Sequence, residues 1–74
     1  MSTETTFWRR VDACEAALTE DWQTTTDISA RTGLMPMLAL RALRQLEREG
    51  RIHGQRAIGH GDEQEWRKVV LADD

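Results

Sequence analysis

The chain has 74 residues, a formal net charge of −3, 39% hydrophobic side chains and 31% charged ones. A chain of this length is one small domain that buries roughly 60% of its unfolded surface. That allows one thin core and argues against an enzyme with a deep, water-free site, while the apolar content is too high for a disordered chain. No apolar run approaches the roughly 18 residues of a membrane span, and no basic-then-apolar signal segment opens the sequence. A cytoplasmic protein is therefore expected, without membrane partners. The lone Cys14 cannot form an internal disulfide, so the fold must rest on packing, as suits a reducing compartment.

Residues 1–5 are polar and read as a disordered N-terminal arm, residues 6–71 as the folded domain, and residues 72–74 as an acidic tail. A first helix is predicted from about Phe7 to Thr19, because Phe7, Val11, Cys14 and Leu18 recur on one helical face. Thr5 or Thr6 can cap its start. Trp22 opens a polar bridge, Gln23-Thr24-Thr25, whose β-branched threonines suit a short extended piece. A short second helix follows over about Thr26–Thr32, with Thr24 or Thr25 as its cap, Asp27 in its first turn and Ile28 as its anchor. Gly33 stops it. Pro36 then sits where proline is favoured, at the first position of a third helix that runs to about Glu49 and stops at Gly50.

In this third helix Ala39, Ala42, Leu43 and Leu46 share one face, flanked by Leu38 and Leu40, while Met37, Arg41, Arg44 and Arg48 lie opposite. After Gly50 the period changes. Arg51–Ile58 reads as a strand, Gly59-His60-Gly61-Asp62 as a turn, and Glu65–Leu71 as a second strand, which together make a hairpin. The expected class is mainly α with a small antiparallel β-hairpin. Trp22 and Trp66 are expected in the core. Trp8, one position off the core face of the first helix, either covers the core edge or belongs to a dimer interface.

Charge is unevenly distributed. Residues 1–30 carry two basic and six acidic side chains, residues 31–56 carry six arginines against Glu47 and Glu49, and residues 57–74 carry two basic and five acidic side chains. A positive middle lies between negative ends, and such a local patch, rather than the net charge, governs anion binding. Nine of the ten basic residues are arginine, the side chain that reads guanine edges and phosphates. The plainer alternative is a solvated face with intrahelical ion pairs, such as Arg44 with Glu47.

The element order, with Asp27-Ile28-Ser29-Ala30-Arg31-Thr32-Gly33-Leu34 followed by Arg41-Ala42-Leu43-Arg44-Gln45-Leu46-Glu47-Arg48-Glu49-Gly50-Arg51-Ile52, resembles the winged helix-turn-helix domain over roughly Phe7 to Leu71. The resemblance implies three helices plus a wing. It also implies a small DNA-binding protein, a transcriptional regulator whose third helix (about 36–49) enters the major groove of double-stranded DNA. Arg41, Arg44 and Arg48 would carry that contact, with Met37 and Gln45 beside them, and Arg31, Arg51 and Arg56 would meet adjacent phosphates. A single such domain makes few contacts, so a homodimer on paired half-sites is expected.

Two features point elsewhere. The third helix opens with Met35-Pro36-Met37-Leu38, which cannot hydrogen-bond a base and suits a protein contact. The wing carries Asp62, Glu63 and Glu65, which repel phosphate. The alternative function is a protein-interaction module, such as a phage- or plasmid-encoded inhibitor or an assembly subunit, that docks through Met35, Met37, Leu38 and the acidic wing. His53, His60 and Cys14 follow no metal-ligand spacing. Cys14 falls on the buried face, where a thiol is inert, and Gly59-His60-Gly61 is followed by no Lys-Ser/Thr of a phosphate loop. No catalytic residue, metal or cofactor is expected.

Overall fold

In the computed structural model, which describes residues 3–56 and 63–69, three helices pack with a small three-stranded antiparallel sheet. The elements run α1 (Thr3–Ala17), β1 (Gln23–Thr24), α2 (Thr25–Thr32), α3 (Pro36–Arg48), β2 (Ile52–Arg56) and β3 (Gln64–Lys68). The arrangement is mainly helical and winged-helix-like, as expected, but the sheet has one more strand than a hairpin. β1 pairs with β3 through Gln23 opposite Trp66 and Thr24 opposite Glu65, so β3 is the central strand. On its other side β2 pairs with β3 from Ile52 opposite Lys68 to Arg56 opposite Gln64. None of the helices is long and apolar enough, among the described residues, to cross a membrane.

The helix ends follow from local chemistry. Thr24 caps α2: its hydroxyl accepts from the Asp27 N–H at 3.1 Å, and the Asp27 carboxylate accepts from the Thr24 N–H at 3.1 Å. This reciprocal capping box satisfies two donors that the helix start would otherwise leave unpaired. Gly33 ends α2 at φ 76°, a left-handed conformation that costs glycine nothing. Met35 has no side-chain group to cap α3, and Pro36 at the first position removes one of the donors that would need it. The first helix begins at Thr3 and ends at Ala17, earlier at both ends than the expected span of about Phe7 to Thr19. A hydrophobic period marks a buried face, not the polar turn that precedes it.

The core is built from the faces that periodicity singles out. Val11, Cys14 and Leu18 from α1, Ile28 from α2, and Ala39, Ala42, Leu43 and Leu46 from α3 close over Ile52 of β2 and Trp66 of β3. Phe7, Leu34 and Leu40 pack at its edge. The two alanines of α3 let neighbouring elements approach its axis, and the two leucines fill the space beside them. Trp66 is fully buried, and its indole N–H donates to Thr25 Oγ1 at 2.8 Å, which satisfies the one polar atom of the ring. Trp22, expected in the core, is only partly buried and instead stacks under the Arg67 guanidinium, 4.7 Å from the ring centroid. A ring next to a central-strand arginine gains a cation–π contact that full burial would forfeit.

The expected strand continuation to Ile58, the turn at residues 59–62 and the acidic tail at 72–74 lie outside the described residues. So do His60 and Asp62, and Val70 and Leu71 of the expected second strand.

Candidate nucleic-acid interface

The helix that supplies most of the core also supplies the candidate surface. Because Ala39, Ala42, Leu43 and Leu46 of α3 turn inward, the 100° step between residues sends Met37, Arg41, Arg44 and Arg48 outward within an arc of about 60°. All four are exposed, Met37 at 66%. None of Arg41, Arg44 and Arg48 forms an ion pair with another described residue, and neither does Arg31, which stands exposed in the last turn of α2. The intrahelical pairing of Arg44 with Glu47 is absent. Glu47 leans instead over β2. A Cβ on Gly54 would come within 2.6 Å of Glu47 Oε2 and 2.7 Å of Trp66 Cζ3, so helix, wing and core ring meet at a position only glycine fits.

The structure sorts the remaining expected residues into different environments. Gln45 lies on one flank of the stripe and donates from Nε2 to Glu49 Oε2 at 3.0 Å. Arg51 is bound on the far side of the turn, 3.1 Å from Glu15 of α1 and 3.5 Å from Glu49. Its guanidinium staples α1 to the end of α3 and is not part of the stripe. Arg56 is exposed at the end of β2. Of the apolar candidates, Met35 is 69% exposed at the entrance to α3, whereas Leu38 is half-buried on its flank. Trp8 is 45% exposed and meets Phe7 edge to face, with centroids 5.3 Å apart.

A groove of about 470 Å³ runs alongside the stripe, with Met37, Leu40 and Arg44 on the α3 wall and Thr26, Glu63 and Gln64 on the other. Glu63, expected at the tip of an acidic wing, is drawn back onto α2. Its Oε1 accepts from the Thr26 N–H at 3.0 Å and from the Thr26 hydroxyl. Glu65 is likewise engaged, accepting from Gln55 Nε2 at 3.0 Å across the strand pair. The Glu63 anchor joins residues 37 positions apart. The only local hint for it was an acidic side chain near the start of a strand, with an uncapped Thr26 donor far upstream.

Among the described residues no group of three or more His, Cys, Asp or Glu side chains is placed to hold a metal ion. Burial pushes the Cys14 thiol from 9.0 up to about 11, so it is protonated near neutral pH. His53 is exposed on β2, opposite Arg67 in the sheet register. No family model matches the chain, and neither curated proteins nor solved structures compared with it give a match, which leaves its own residues to carry the functional argument.

Proposed function

We propose that this chain is a small DNA-binding protein of the winged helix-turn-helix kind, a transcriptional regulator that lays α3 in the major groove. One observation carries the reading: Arg41, Arg44 and Arg48 project from one side of a rigid helix with no ion-pair partner among the described residues. Three guanidiniums on one line fit guanine edges and flanking phosphates, and a bidentate arginine–guanine pair contributes about 1–3 kcal/mol of discrimination. Met37, on the same line, offers a polarisable contact to a thymine methyl. Arg31 and Arg56 are candidates for phosphates at the margins, whereas Arg51 is committed to Glu15 and Glu49. A homodimer would raise the number of contacts, with the exposed Trp8 of α1 as a candidate seam.

Fluorescence anisotropy of a labelled random-sequence duplex, titrated at two salt concentrations, tests this reading. The expected result is micromolar binding that weakens steeply with salt, because each neutralised phosphate contributes about 0.9 to the log–log slope. Absence of binding at low salt contradicts it.

The exposure of Met35 and Met37 favours a second reading, a module that docks on another protein. In that case Met37→Asp abolishes partner binding with the helical circular dichroism intact, and retained binding removes this face from the interface.

A further inference from the structure

The groove beside α3 holds two opposite charges. Arg44 stands on one wall and Glu63 on the other. Glu63 is no loosely swinging side chain, because its carboxylate is fixed on the backbone N–H and hydroxyl of Thr26. The support beneath it is also fixed. The Trp66 indole donates to Thr25 Oγ1 at 2.8 Å, and the Thr25 hydroxyl donates to the Gln64 carbonyl at 3.4 Å. Trp66 itself is fully buried, so this end of β3 cannot move away from α2 without disturbing the core.

A duplex laid along Arg41, Arg44 and Arg48 presents phosphates at both margins of the helix. On the groove side, a phosphate drawn to Arg44 also faces the Glu63 carboxylate. We propose that Glu63 is a built-in competitor for the polyanion: held on Thr26 at the groove wall opposite Arg44, its carboxylate weakens the binding of DNA to the α3 face. This inference rests on the DNA-binding reading and adds an autoinhibitory contact to it. Affinity then depends on the contacts that offset the repulsion, which favours a duplex matched along the whole stripe over one held by phosphates alone.

The test is Glu63→Gln, which keeps an acceptor oxygen for Thr26 while removing the charge, with far-UV circular dichroism to verify the fold. The control is Glu65→Gln, which changes net charge equally. Glu65 neighbours Trp66 in β3, so its side chain lies on the sheet face away from the core, bonded to Gln55. Glu63→Gln is expected to tighten random-duplex binding about threefold to tenfold at low salt, as one nearby charge in an intermediate dielectric predicts. The gain should shrink as salt rises, and Glu65→Gln should change affinity by less than about twofold, being directed away from the stripe. Equal gains from both variants overturn the inference, since net charge alone then accounts for the effect. Salt-dependent binding by the wild type with no gain in Glu63→Gln overturns the inference and leaves the DNA-binding reading standing. Failure of wild type and variant alike to bind overturns both.

Discussion

The two faces of α3 differ in what they contact and therefore in what a substitution does. On one face Ala39, Ala42, Leu43 and Leu46 have no exposed surface and are shared among three helices and the sheet. On the other, Met37, Arg41, Arg44 and Arg48 are exposed, and the arginines have no ion-pair partner among the described residues. Within 13 residues the helix thus separates a buried apolar face from an exposed cationic one. The lesson is that an arginine stripe on a helix is informative when the opposite face alone accounts for why the helix is there. No ion pair among the described residues ties the stripe to the fold, so its presence asks for another explanation.

Three substitutions sharpen this comparison. The largest effect is expected on the buried face, where Leu43→Ala removes a fully buried side chain and leaves a cavity. A loss of about 2–5 kcal/mol is expected, measured by urea unfolding. A change under 1 kcal/mol would mean that the helix is not held by this face. Next comes the seam between the helix and the wing. Gly54→Ala pushes a methyl into the buried Trp66 ring and the Glu47 carboxylate. Glu47 can swing aside and Trp66 cannot, so a cost of about 1–3 kcal/mol is expected from overpacking. A neutral outcome in the same unfolding assay would place β2 farther from α3. The smallest of the three is Thr24→Ala, which breaks the capping box of α2 and should cost about 1 kcal/mol. Thermal unfolding of that variant should show a lower midpoint with unchanged DNA affinity, because Thr24 caps from outside the stripe.

Much of this architecture was legible in the sequence because it is written in local, periodic terms. The inward face of α3, the Pro36 start, the Gly33 stop and the Thr24 cap each depend on neighbours a few residues away. The candidate stripe was legible for the same reason, being the complement of a hydrophobic face. What escaped was long-range. Trp22 pairs with Arg67 rather than the core, Arg51 binds Glu15 across 36 positions, and Glu63 folds back on Thr26 across 37. Charged and polar side chains obey no period, and their partners are chosen by the packing of elements that the sequence places only coarsely. The start of α1 was missed on the other side of the same rule: Thr3–Thr5 are helical without any apolar residue to mark them.

The central claim is that the exposed face of α3 binds DNA without contributing to the fold. The most direct measurement compares the wild type with the Arg41→Ala, Arg44→Ala, Arg48→Ala triple variant, in urea unfolding and in duplex titration at two salt concentrations. The account predicts unfolding free energies equal to within about 0.5 kcal/mol per site, as for surface positions generally. It also predicts loss of most duplex affinity and a salt slope lowered by up to about 2.7, for three phosphate contacts. Unchanged affinity and slope in a folded triple variant would contradict it.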